Sequence, residues 1–146
     1  MDCSSFRYNR ELISRSYAYN YGGYQKNYAH FGIFINEIPV GSFQLKRIDV
    51  VNQCCEFGII LQNDSLKNKG IGTLAIKEGM KIAFYDYHIN TITGETMGRN
   101  KRMIRVFEKL GFHLEEIVPE AYILPDGHKE NRLVYKKKIT EAIHEC

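Results

Sequence analysis

The chain has 146 residues, 44% of them hydrophobic and 25% charged, with a formal net charge of +3. That size suits one domain able to bury about two-thirds of its unfolded surface without disulfides or metal, which excludes a disordered chain and a second module. The basic residues are scattered, no apolar run approaches the ~18 residues of a membrane span, and Met1-Asp2-Cys3-Ser4-Ser5 is no export signal, so neither nucleic acid nor membrane is an expected partner.

Residues 6–20 carry scattered apolar positions, Phe6, Leu12, Ile13 and Tyr17, and read as an irregular helix ending near Gly22-Gly23. Tyr28 to Ile35 reads as a strand, Asn36-Glu37 as a tight turn and Val40 to Ile48 as the hairpin partner, because polar and apolar residues alternate. A third strand is expected at Cys54–Leu61. A turn region at Asp64-Ser65 precedes a helix from about Ile71 to Tyr87, with Ile71, Leu74, Ala75, Ile82 and Phe84 as apolar positions. The β-branched run Ile89–Glu95 reads as a strand, Lys101–Leu110 as a second helix opened by Asn100 and closed by Gly111, and Phe112–Val118 and Arg132–Ile139 as further strands. Strands first, then strand, helix, strand, helix and strand, predict an α/β (α+β) domain: a mixed sheet with helices covering it. Cys3, Cys54, Cys55 and Cys146 show no C-x-x-C spacing and no zinc-like histidine arrangement, so reduced cysteines, no metal and a cytoplasmic protein are expected.

The chemistry concentrates in Lys67-Asn68-Lys69-Gly70-Ile71-Gly72 and in Asn100 with Glu108-Lys109-Leu110-Gly111-Phe112. A glycine turn that opens a helix brings unpaired N–H groups and the positive end of the helix dipole to one point, which suits a pyrophosphate. The glycine pair by itself is equally compatible with a plain helix start. Gly70-Ile71-Gly72-Thr73-Leu74-Ala75 also matches the dinucleotide pattern G-x-G-x-x-A, with Glu95 near the place of a ribose contact. Against that, eight residues, Gln62 to Lys69, separate Leu61 from Gly70, whereas a dinucleotide turn follows its strand almost at once. A Walker A loop is excluded, since no Gly-Lys-Ser/Thr follows.

Taken together, these two segments resemble the signatures of the GNAT superfamily of N-acetyltransferases: the R/Q-x-x-G-x-G/A loop, with Lys67 in the Arg/Gln position, and the N…EKLGF segment. The match covers roughly residues 28–139, and Cys55-Glu56-Phe57-Gly58-Ile59-Ile60-Leu61 is most similar to the branch holding ribosomal-protein N-terminal acetyltransferases and spermidine acetyltransferases. The resemblance implies a mostly antiparallel sheet of about six strands flanked by helices, with the N-terminal strand and helix shortened or absent. It implies acetyl-CoA as cosubstrate, its pyrophosphate on amides around Lys69, Gly70, Ile71, Gly72 and Thr73 with Lys67 nearby, and its pantetheine arm paired with Ile59, Ile60 and Leu61 like an added strand. Asn100 would touch that arm, cap its helix, or do both. Lys101, Arg102 and Arg105 would reach the 3′-phosphate or form a solvated face.

Phe107 stands where many relatives have a tyrosine that protonates the departing thiolate, and phenylalanine has no proton to give. Tyr85 and Tyr122 are the candidate substitutes, with packing as the alternative for each. Glu56 is the first candidate base and Glu95 the second, each with a structural ion pair as its alternative; His113 and His128 are less suited. An oxyanion contact is expected from the amide of Ile59 or Ile60. The expected activity is direct acetyl transfer to a primary amine, either a small molecule or a peptide N-terminus, in a ternary complex. The alternatives are a non-catalytic CoA-binding regulatory module and a small dinucleotide-binding protein. Tyr17, Tyr19, Tyr21, Tyr24 and Tyr28 would replace the missing acceptor wall, pack within the monomer, or meet a second subunit in a homodimer.

Overall fold

A computed structural model describes residues 27–62 and 70–140. The helix expected at 6–20, the turn at Asp64-Ser65 and every tyrosine of the N-terminal series except Tyr28 lie outside the described residues.

Strands β1 (Ala29–Ile35) and β2 (Ile38–Asp49) form a hairpin in which Ile35 faces Ile38 across Asn36 and Glu37. Both turn residues have positive φ, 50° and 69°, the two-residue geometry whose twist matches that of the strands it joins. β3 (Cys54–Leu61) runs antiparallel to β2. Helix α1 spans Ile71–Tyr87, the bounds its sequence predicts, and leads to β4 (Thr91–Met97), which lies parallel to β3. Helix α2 (Lys101–Lys109), β5 (His113–Ile123) and β6 (Lys129–Lys138) complete a six-stranded sheet in the order β1-β2-β3-β4-β6-β5. Among the described strands only the β3–β4 pair is parallel. A doubly wound dinucleotide sheet needs several parallel pairs, so that alternative falls.

The core lies between the sheet and the two helices. Phe43 stacks on Phe57 at 5.6 Å, and Phe107 stacks on Tyr135 at 4.5 Å while standing edge-on to Phe112 at 5.1 Å. Gly79 lets α1 settle onto the Phe43 ring, which would collide with any side chain there. Gly111 adopts φ +84° at the end of α2 and Phe112 N–H reaches back to the Phe107 carbonyl, closing the helix as a left-handed C-terminal turn does.

Several boundaries differ from expectation: β2 begins two residues early at Ile38, β4 two residues late at Thr91, and β6 three residues early at Lys129. β4 continues two residues past Glu95, and β5 continues past Val118 to Ile123. The β5 ladder to β6 is interrupted between Val118 and Tyr122, where Glu120 has φ 52° and its N–H donates to Asn131 Oδ1 at 3.1 Å. Pro119 directly follows the expected strand end at Val118. Because β5 is an edge strand, a residue without a donor is tolerated at such a bulge.

Candidate active site

The β3–β4 ladder consists of Cys54↔Thr91, Cys55↔Ile92 and Glu56↔Thr93, after which the strands part. The Phe57 and Phe107 rings fill the volume beside Gly94: a Cβ placed there would lie 2.7 Å from Phe57 Cζ and 2.9 Å from Phe107 Cε1. An aromatic wedge thus sits where the ladder ends. Gln62 N–H donates to the Val40 carbonyl at 2.9 Å, and antiparallel alternation then turns the N–H and C=O of Leu61 and Ile59 away from β2, toward the gap.

On the helix side of the gap, Gly70 opens α1 with φ 76°, a left-handed conformation that suits glycine. The helical ladder starts when Leu74 N–H donates to the Gly70 carbonyl at 3.1 Å, so the N–H groups of Ile71, Gly72 and Thr73 have no acceptor within the helix. No side chain caps this end and its first turn holds no carboxylate. At the start of α2, Asn100 Oδ1 accepts from Met103 N–H at 3.1 Å. The two helix starts and β3 enclose a cleft of about 320 Å³ lined by Ile59, Ile60, Leu61, Gly72, Ile76, Asn100, Arg102, Met103 and Val106. An apolar slot with a free backbone edge, an amide cradle and a guanidinium fits the arm and phosphates of an acyl-CoA.

Of the residues expected on this side, Ile59, Ile60, Leu61, Gly72, Asn100 and Arg102 line the cleft, and Gly70, Ile71 and Thr73 border it through the first turn of α1. Asn100 is a cap as well as a wall. Arg105 is exposed on α2 and does not line the cleft, so α2 presents Arg102 there instead. Phe107 is corrected: it is 0% exposed, sealed between Phe57, Phe112 and Tyr135, and so packs the core without reaching the cleft. Lys67 and Lys69 lie outside the described residues.

Glu56 and Glu95 lie on the opposite face of the sheet. Strand alternation requires it, since Cys55 and Phe57 on β3 and Ile92 and Gly94 on β4 face the helices. Glu56 ends the paired stretch of β3, and Glu95 lies two residues past its partner Thr93, so their backbones stand roughly 8 Å apart at the root of the gap. Glu56 Oε2 is 3.1 Å from Arg47 Nε, where β2 bulges and Arg47 takes φ 50°. The Tyr122 hydroxyl donates to Glu95 Oε1 at 3.4 Å, and Arg132 Nε lies 3.8 Å from Glu95 Oε2. Burial, then the Glu95 charge, hold the Tyr122 phenol above its ordinary pKa.

Arg132 is a member of this cluster that residue patterns do not reveal. It lies at the start of a predicted strand, and only the β4–β6 register, with Met97 opposite Arg132, carries it beside Glu95. Tyr85 lies fourteen residues along α1 from Ile71, roughly 20 Å from the gap. His113 starts the edge strand and His128 bonds Asp126 in the β5–β6 turn, both away from the gap. Burial pushes the Cys55 thiol up to about 12, too basic for a nucleophile.

A mixed sheet whose one parallel pair splays beside a glycine-opened helix defines an acyl-CoA-type N-acyltransferase scaffold. A family model described as an acetyltransferase (GNAT) domain matches residues 4–113, and the chain belongs to that family. Among curated proteins none matches the chain by sequence. Among solved structures it is similar to a crystal structure described as a "Probable acetyltransferase", with 22% identity and a TM-score of 0.70 over 77% of this chain and 63% of that one. It is also similar to the spermidine/spermine N-acetyltransferase SpeG from Vibrio cholerae, with 18% identity and a TM-score of 0.74 over 82% of this chain and 70% of that one. The chain thus spans under two-thirds of the length of the first of these structures. Identities this low speak for the shared fold.

Proposed function

We propose that the protein is an acetyl-CoA-dependent N-acetyltransferase that moves an acetyl group to a primary amine by direct attack in a ternary complex. The observation that carries this reading is the β3–β4 gap, with an apolar cleft ending at the α1 amides on one side and Glu56, Glu95 and Tyr122 on the other. Acetyl-CoA supplies an activated acyl group as a thioester. The first-turn amides of α1, from Gly70 to Thr73, receive its pyrophosphate, with Lys67 and Lys69 adding charge, and Arg102 serves the 3′-phosphate. Ile59 and Leu61 offer their backbone groups to the pantetheine arm, and the Ile59 amide, favoured over that of Ile60 by the strand's alternation, donates to the developing oxyanion.

An alkyl amine is only ~10⁻³ deprotonated at pH 7, so the acceptor has to lose a proton. Glu56 and Glu95 take it directly or through water. Tyr122, whose phenol keeps its proton at neutral pH as an ordinary tyrosine does, replaces the phenol missing at Phe107 as donor to the departing thiolate. Free Cys54 and Cys55 accord with a cytoplasmic setting, and a homodimer is to be read by light scattering.

Phe107 favours a second reading, a CoA-binding module without turnover. Calorimetry with acetyl-CoA, with NAD as control, separates the readings: micromolar binding of acetyl-CoA alone, followed by amine-dependent thiol release, is the expected result. A folded sample that fails to bind acetyl-CoA overturns the transferase. Tight binding with no release for any amine, and no effect of Glu56→Gln, moves the protein to the binding module.

A further inference from the structure

On the face away from α1 and α2, below the root of the β3–β4 gap, lies a second cavity of about 450 Å³. Its described lining starts at Glu56 and Thr93, the last paired residues of β3 and β4, and extends past Cys54 to Arg47 and Lys136. Glu56 therefore adjoins the place where an acceptor nitrogen has to sit, with Arg47 beside it at 3.1 Å, while Lys136 stands across Thr93 on β6. Glu56 and Lys136 stand two strand spacings apart, roughly 10 Å between backbones, because β4 alone separates β3 from β6.

The carboxylates around this cavity already face cations. Glu56 is 3.1 Å from Arg47, Glu95 is 3.8 Å from Arg132, and Glu115 is 3.8 Å from Lys136. Lys46 adds one more positive charge on the same face, opposite Glu56 in the β2–β3 ladder and with its Nζ against Gly58. Cations outnumber carboxylates in the described lining, Arg47 and Lys136 against Glu56, so a ligand with two ammonium groups would place its second charge among like charges, whereas a carboxylate tail would share Lys136 with Glu115. An amine with a carboxylate at its far end meets the reverse arrangement: carboxylates at the nitrogen, cations at the tail.

Resting on the acetyltransferase reading above, we infer that this cavity is an anion subsite for the acceptor, and that the protein selects amines carrying a carboxylate over polyamines. Lys136 is its specificity-determining cation. Arg47, held by Glu56, closes the near side.

6-Aminohexanoate and 1,6-diaminohexane test this directly, because they match in length and differ in the charge of the far end. With the full chain and saturating acetyl-CoA at low salt, kcat/KM is expected to favour 6-aminohexanoate at least tenfold. Lys136→Glu is expected to reverse that preference, acting mainly through KM, and Lys136→Met to reduce it. Preference for the diamine in the wild type, or a ratio unmoved by Lys136→Glu, overturns the inference. If neither amine is acetylated, calorimetry on the CoA-saturated protein decides the subsite separately from the acetyltransferase reading. Weaker binding of 6-aminohexanoate to Lys136→Glu than to wild type keeps the subsite; equal binding overturns it.

Discussion

The two sides of the β3–β4 gap are built by different means. The helix side is mostly backbone and apolar contact: orphan amides at the start of α1, the free edge of Ile59 and Leu61, and a capped α2. The opposite side is made of charged side chains, Glu56, Glu95, Tyr122 and Arg132, contributed by four different strands and held by ion pairs and one long hydrogen bond. Backbone groups cannot be exchanged by substitution, whereas side chains can. On the proposed function, the helix side is therefore suited to one unvarying ligand, and acceptor choice would fall to the other side.

The wedge beneath both sides gives the largest expected effect. Phe107→Ala removes a fully buried ring and should cost about 3–5 kcal/mol, read as a drop in the urea midpoint. Phe107→Tyr sharpens the comparison: its hydroxyl would enter an aromatic pocket, so stability should fall by ~1–3 kcal/mol with no gain in kcat. A rise in kcat would show that position 107 reaches the reacting atoms after all.

Next comes Glu95→Gln, which should lower kcat/KM about 10²-fold while leaving the acetyl-CoA dissociation constant within a factor of two. Equal loss in both would place Glu95 in the cofactor's service and break the division between the two sides. Gly72→Asp tests the other side. A Cβ there meets only Leu61 Cδ1 at 3.9 Å, and a carboxylate at a helix start stabilises by about 0.3–1 kcal/mol, so Tm should hold or rise while acetyl-CoA binding falls at least tenfold. Loss of Tm together with binding would mean that the first turn serves the fold alone.

The smallest effect concerns Tyr122. Its raised pKa means that the folded state keeps the phenolic proton more tightly, so its contribution is complete below the unfolded value near 10 and is lost as pH rises through the folded one. Tyr122→Phe should flatten the decline of Tm between pH 9 and 11 in part, because Tyr135 shifts the same way and remains. An unchanged decline would mean that burial and the Glu95 charge do not hold the Tyr122 proton in the folded state.

What could be read in the residues was local. The Asn36-Glu37 turn, α1 from Ile71 to Tyr87, the Asn100 cap and the Gly111 stop each depend on neighbours a few positions away, and each appears in the structure where its sequence predicts it. The strand count followed from the order of such elements. Glu56 and Glu95 could be named as candidates because the family resemblance puts the site where their two strands part, Glu56 just before the cofactor-pairing residues and Glu95 at the end of the following strand, yet their partners could not.

Those partners depend on register. Arg47 reaches Glu56 through a bulge in β2, Tyr122 returns to Glu95 only because β5 survives a proline, and Arg132 joins them because β6 inserts between β4 and β5. Phe107 shows the same limit from the other direction: its place in a helix motif was legible, but its burial depends on Gly94, Phe57 and Tyr135 from three strands. The sequence alone determined helix starts, turns and the amide cradle, because backbone hydrogen bonding within a few residues decides them. Only the tertiary structure decided which charges meet across the gap, because the pairing of strands far apart in the chain sets the face and the neighbour of every side chain.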